Sequence, residues 1–226
     1  MKAGNMFKLN EYWHVPDMDF LSNKVKDAGP NCNYEKAFRD FVMANHPRTN
    51  VMVDVGANIG IYSRPCSAFF KKVYAVEPIP KILECLKLNI KDCHNIEILE
   101  HGVGPFNPHA MFLYNPKNSG NTQQVANGDS TSSNLVISKV IPLDDLNFEE
   151  INYIKIDVEG FEADVLASGV NCLTANLPWI QVEINNNQTR IEQWLAQFGH
   201  YQYVPIKSKH NRLYIPTEGK NKASSG

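Results

Sequence analysis

The stretch Val51-Met52-Val53-Asp54-Val55-Gly56-Ala57-Asn58-Ile59-Gly60 constrains this chain more than any other. Its first half is an apolar run interrupted only by an acid, and its second half is a turn of small residues. The pattern predicts a buried strand over Val51–Val55 that feeds a tight turn, where glycines without a Cβ let backbone approach a ligand closely. The acid inside the motif argues against a phosphate ligand. About twenty residues on, a second apolar run, Val73-Tyr74-Ala75-Val76, ends in Glu77, the spacing at which nucleotide folds hold a ribose diol. A ribose diol, an ammonium and a sulfonium would all suit these acids, and S-adenosylmethionine carries all three.

Alternating elements continue along the chain. Tyr34, Ala37, Phe38, Phe41 and Val42 recur at helical spacing, which predicts a helix from Tyr34 capped by Asn31 or Asn33 and ended by Asn45-His46-Pro47. A helix is expected from about Ile59 to Phe70, although Pro65 fits only a first turn. Pro80–Lys91 reads as the next helix, with Pro80 near its start. Further strands are expected over Ile96–Leu99, Met111–Tyr114, Leu135–Ile141, Tyr153–Ile156 and Trp179–Ile184. A short helix follows Pro142. Helices are expected over Phe161–Ala167 and Gln188–Phe198, the latter ended by Gly199. Tyr201–Val204 and Arg212–Ile215 read as a closing antiparallel pair. Residues 115–134, rich in Asn, Ser, Gly and Thr, read as a long loop.

Strand–helix alternation implies a parallel sheet with helices on both faces, and such sheets bind ligands at the carboxyl ends of their strands. Those ends carry Asp54, Glu77, His101, Asp157 and Glu183. The dinucleotide fingerprint G-x-G-x-x-G is absent, because Asn58 stands where the second glycine would be, and this weakens a pyrophosphate reading. The N–H groups that open the following helix are expected to take an anionic group such as the donor's carboxylate. Gly102 leaves room for an adenine edge, with Val103 or Ile79 as its apolar face. The candidate cofactor-binding residues are Asp54, Gly56, Ala57, Asn58, Gly60, Glu77, Pro78, Gly102, Val103 and Asp157. Asp157, Glu159 and Glu183 are the candidate catalytic carboxylates. They could equally hold a divalent cation, since hard cations prefer oxygen. Asp157 is the favoured base, and Lys155 shares its face two residues earlier.

With 226 residues, 43% hydrophobic and 20% charged, the chain has enough apolar side chains for one full core. Residues 1–30 are expected to be an N-terminal extension, 31–216 the catalytic domain and 217–226 a disordered tail. The net charge of −2 speaks against a nucleic-acid footprint. The five cysteines form no CxxC pair and read as reduced thiols. No apolar run approaches the roughly 20 residues of a membrane span, and Met1–Glu11 lacks a signal-peptide core, so a cytoplasmic protein is expected. The sequence leaves the oligomeric state open.

Val53-Asp54-Val55-Gly56-Ala57-Asn58-Ile59-Gly60, Tyr74-Ala75-Val76-Glu77-Pro78 and Ile154-Lys155-Ile156-Asp157-Val158-Glu159-Gly160-Phe161-Glu162 together resemble the FkbM family of methyltransferases. Ile141–Leu146 and Val182–Asn185 are similar to its other recurring segments. The resemblance covers roughly residues 50–200 in consistent order. It implies a Rossmann-like, doubly wound, mostly parallel seven-stranded sheet with an antiparallel last strand. It also implies S-adenosylmethionine as methyl donor and a hydroxyl of a small molecule or carbohydrate as acceptor. By the same resemblance, Asp54, Gly56, Asn58 and Gly60 line the methionine moiety, Glu77 the ribose, and Asp157 the transferable methyl, with Ser130–Ser133 near the cofactor or acceptor. Pro65 and the 115–134 loop depart from the family pattern. Two alternatives stand beside this reading. One is an RNA 2′-O-methyltransferase using Lys155, Asp157 and Glu183; the other is an NAD-type oxidoreductase, for which the third glycine is missing.

Overall fold

The computed structural model describes residues 6–17, 19–125, 134–184, 188–198 and 201–217. Its centre is a seven-stranded sheet built from β1 (Val51–Val55), β2 (Lys72–Val76), β3 (Ile96–Leu99), β4 (Ile151–Ile156), β5 (Trp179–Glu183), β6 (Tyr201–Val204) and β7 (Asn211–Pro216). The strand order is β6-β7-β5-β4-β1-β2-β3. β1 to β5 run parallel to one another, and β7 pairs antiparallel with both β5 and β6. This is a mixed α/β fold around a largely parallel sheet. Successive strands step one way from β1 to β3 and the other way from β4 to β5. A crevice therefore opens at the carboxyl ends of β1 and β4, the position favoured for ligands in such sheets.

Strand alternation sorts side chains onto two covered faces. Met52, Val73, Tyr153 and Leu213 face one side, where they pack with Phe38 and Val42 of α1 (Lys36–Asn45) and Cys66 of α2 (Ser63–Cys66). Ala75, on the same side, packs on Leu83 and Leu86 of α3 (Pro80–Asn89). Val53, Val55, Ile154, Ile156, Ile180 and Val182 face the other side. There they meet α4 (Glu162–Ala167), α5 (Val170–Asn176) and α6 (Gln188–Phe198) through Val165, Leu166, Leu173, Ile191 and Leu195. All six residues of β4 are buried, as expected of a central parallel strand covered on both faces.

Several local expectations are corrected. The helix expected over Ile59–Phe70 is only the four residues of α2. Asn58 and Gly60 have φ of 51° and 87°, which no right-handed helix accommodates, so the chain becomes helical only at Ser63. Pro65 is then a first-turn residue, where its missing N–H costs nothing. The helix expected from Tyr34 begins at Lys36 with no side-chain cap, because Glu35 sits at φ 47° in the left-handed region. The Glu35 carboxylate is held instead by Gln181 Nε2 at 2.6 Å and by Asn211 Nδ2. The loop expected over 115–134 contains a 3-10 turn, Ser119–Asn121, and a strand, Gln123–Val125. That strand belongs to a second sheet with Gly102–Val103, Asn107–Leu113 and Leu135–Ile141. Gly199 and Ser130–Ser133 lie outside the described residues.

The described N-terminal residues contribute to the core. A hairpin, Met6–Lys8 with His14–Pro16, and a one-turn helix, Ser22–Val25, bury Trp13, Val15, Leu21 and Val25 against Ile59, Ile79, Ile82 and Cys85. Trp13 is fully buried, and its indole N–H donates to the Gly29 carbonyl at 2.9 Å. Burying a large apolar side chain is worth about 1.5–3 kcal/mol. The five cysteines are free thiols. Among the described residues, no helix is long and apolar enough to cross a membrane.

Candidate active site

The glycine turn is assembled from backbone. Gly56 and Ala57 both donate to the Val76 carbonyl, at 3.0 and 2.9 Å, which fixes the turn to the end of β2. Gly56, at φ 82°, leaves no space for a side chain: a Cβ there would lie 1.9 Å from the Asp157 carbonyl oxygen. The Asp157 N–H in turn donates to the Val55 carbonyl at 3.0 Å. The first turn and the end of β4 are therefore one interlocked piece. Glu77 completes this end. Its two carboxylate oxygens accept from the Asn58 and Ile79 N–H groups at 3.0 and 2.9 Å, and the residue is 4% exposed.

On the other side of the crevice stand Asp157, Glu159 and Glu183. Each brings one carboxylate oxygen within 4.8 Å of the others. Lys155 Nζ reaches Asp157 Oδ2 at 2.9 Å from a nearly closed position. Glu159 is displayed from a left-handed backbone, φ 53°, followed by Gly160 at 111°. The buried Glu162 carboxylate accepts from the Val158 and Gly160 N–H groups and holds this loop in place. Both ends open into one cavity of about 990 Å³, open solvent at its mouth included.

The methyltransferase FkbM domain matches residues 54–205. This chain belongs to the FkbM methyltransferase family. Hexuronic acid methyltransferase AglP of Haloferax volcanii is 31% identical over 141 residues, covering 60% of this chain and 56% of that protein. The chain thus spans about half the length of the curated relative it matches. A methyltransferase FkbM from Methylobacillus flagellatus aligns with a TM-score of 0.55 at 19% identity, over 74% of this chain and 43% of the other. Fibrillarin from Aeropyrum pernix, solved with bound S-adenosyl-L-methionine, aligns at 0.50 and 12%, over 80% and 74%. At these identities the solved structures share the fold.

Within this FkbM fold, Gly56, Ala57, Asn58, Glu77, Pro78, Gly102, Val103, Asp157, Glu159 and Glu183 all line the cavity. Asp54 and Gly60 do not. Asp54 is fully buried on the α1–α2 face of the sheet, where it accepts from Ser63 Oγ at 2.5 Å. Gly60 is needed for packing, since a Cβ there would sit 2.8 Å from Leu86 Cδ1. The short α2 begins three residues after Gly60, so its N–H groups do not open directly from the turn as expected. Sequence reasoning missed Tyr34, Tyr62, Phe112 and Phe161 as cavity residues, whereas Leu21 and Ser119 come from the N-terminal 30 residues and the 115–134 loop, the two segments expected to shape the acceptor pocket. They come from elements far apart in the chain, and no spacing rule relates them.

Charge is distributed unevenly. Burial pushes Glu77 up to about 7, against the pull of its two N–H donors. Burial, then repulsion from Asp157 and Glu162, raises Glu159 to about 7. Glu183 is pushed up to about 8 by burial and by the negative charges of Asp157, Glu159 and Glu162. Burial alone would depress Lys155, but the carboxylates of Asp157, Asp54 and Glu35 outweigh it and hold the ammonium charged. His101, bonded through Nδ1 to the Gly102 carbonyl, is lowered by burial.

Proposed function

We propose that this chain is an S-adenosylmethionine-dependent O-methyltransferase that acts on a hydroxyl of a small molecule, sugar or glycan. One observation carries the reading. A single cavity at the switch in strand order joins a backbone-built turn with a buried acid to a rim of three carboxylates. The methyl donor supplies an electrophilic methyl group on a sulfonium. Glu77 has lone pairs beyond the two its backbone donors use, which suit the ribose hydroxyls. Gly102, Val103 and Ile79 line the same cavity and would meet the adenine. Lys155 Nζ donates to Asp157 Oδ2 at 2.9 Å and occupies that carboxylate. Glu183 and Glu159, raised toward neutral, are the better matched bases, since a general base works best near the operating pH. The remaining demand is alignment of acceptor oxygen and methyl carbon, which a shared cavity serves.

A carbohydrate acceptor is favoured by the hexuronic acid methyltransferase among the relatives. The carboxylate trio also supplies three oxygen donors that fit a divalent cation, a secondary reading. Isothermal titration with S-adenosylhomocysteine tests the donor. Binding is expected, and Glu77→Ala should weaken it. Absence of binding, together with unchanged donor turnover in Glu77→Ala, would falsify the proposal.

A further inference from the structure

The Asn58 carboxamide has one committed end and one uncommitted end. Its Oδ1 accepts from the Ile59 N–H at 2.7 Å and from the Ser119 hydroxyl at 3.2 Å. Its Nδ2 donates to no partner among the described residues, and the side chain lines the cavity. With the oxygen engaged twice, the group offered to a ligand is an NH2, a double donor. Turned over, the same side chain would offer an oxygen, which repels a carboxylate. The direction of this amide is therefore a choice between accepting and rejecting an anion.

Ser119 does not hold that position by itself. It is 2% exposed, and its N–H donates to Asp19 Oδ2 at 3.0 Å. Asp19, 3% exposed, also accepts from the Leu21 N–H through Oδ1 at 2.9 Å. The Phe20 N–H adds a bond to the Lys117 carbonyl at 2.8 Å. A buried carboxylate in the N-terminal segment thus clamps the 3-10 turn that carries Ser119. That segment lies before the residues that match the family, 54–205.

We propose that Asp19 and Ser119 are positioning residues for the methyl donor. They fix the Asn58 carboxamide with its nitrogen toward the donor's carboxylate. The inference rests on the S-adenosylmethionine reading of the cavity. It also supplies a partner for the carboxylate, which the displaced start of α2 no longer provides. The Ile59 N–H still opposes rotation of the amide when Ser119 is removed, so the loss is partial.

The test is calorimetry on the full chain with two ligands, S-adenosylhomocysteine and its decarboxylated analogue. Ser119→Ala and Asp19→Asn should each bind S-adenosylhomocysteine about tenfold more weakly, the loss of roughly one hydrogen bond to a charged group. Neither should change affinity for the decarboxylated analogue, and Ser119→Thr, which keeps the hydroxyl, should restore tight binding. A purely structural role would weaken both ligands in parallel, and that result overturns the proposal. So does an S-adenosylhomocysteine affinity within about twofold of the unsubstituted chain in Ser119→Ala. If Asp19→Asn does not fold, Ser119→Ala decides alone. If the unsubstituted chain binds neither ligand, the methyl-donor reading itself falls, and this inference falls with it.

Discussion

The two ends of the cavity solve recognition in different ways. At the glycine turn the surface is backbone. The Gly56 and Ala57 N–H groups are spent on Val76, and the Glu77 oxygens on Asn58 and Ile79. At the opposite rim the surface is side chain. Asp157, Glu159 and Glu183 are half-buried and close together, and Lys155 pairs with Asp157. A backbone-built end suits a ligand that never varies. A charged side-chain end suits an acceptor and a proton that must come and go. The sharpest way to break the first end is Gly56→Ala. Its Cβ would meet a backbone carbonyl at 1.9 Å from a φ of 82°, and neither group can yield cheaply. Chemical denaturation should show a loss of about 4 kcal/mol or more. A loss below 1 kcal/mol would mean that the turn is not interlocked with the end of β4.

The rim should respond in rate and leave stability nearly untouched. Glu183→Gln is expected to lower kcat by about 10²-fold, the usual worth of a general base. Asp157→Asn should cost less in proton transfer, because Lys155 already occupies that carboxylate. The pH profile separates the two. A base works deprotonated, and Glu183 is raised to about 8. The rate should therefore climb as pH rises through that value and level off above it. In Glu183→Gln this limb should disappear. A limb that survives unchanged would pass the role of base to Glu159.

How much of each region the sequence disclosed follows the same divide. β1, β2, β4 and β5 are near-continuous apolar runs, because a parallel strand covered on both faces has no wet side to encode. Their ends, and the acids at those ends, were readable for that reason. Asp54 was misplaced although strand alternation carries the signal: it shares a face with Met52, which packs toward α1 and α2 and away from the cavity. Tyr34 fits a helical spacing with Ala37 and Phe38, yet Glu35 adopts a left-handed turn to reach Gln181 and Asn211, far along the chain. Leu21 and Ser119 reach the cavity through the Asp19–Ser119 bond, which joins residues 100 apart. Periodicity reports local geometry, so pairings of that range leave no trace in it.

A smaller effect tests whether Glu77 faces ligand as well as backbone. Glu77→Gln keeps one acceptor oxygen but sets an NH2 group against a backbone N–H. S-adenosylhomocysteine affinity should fall about tenfold, with the melting temperature also lowered, since a buried N–H loses its partner. An unchanged affinity alongside a lowered melting temperature would make Glu77 a turn fastener and nothing more.

The smallest expected effect concerns metal. Three carboxylate oxygens within 4.8 Å are a donor set that a divalent cation accepts. Two features of the rim reduce the need for one. Lys155 already places a buried ammonium 2.9 Å from Asp157. A sulfonium donor loses positive charge as its methyl departs, so no developing anion has to be clamped beyond the acceptor oxygen, which a raised carboxylate can deprotonate. Treatment with EDTA should change donor turnover by less than about twofold, well within the range of one weak contact. A tenfold loss restored by Mg²⁺ would recast the trio as ligands, and Glu183 could then no longer be both a ligand and the general base that the pH limb reports.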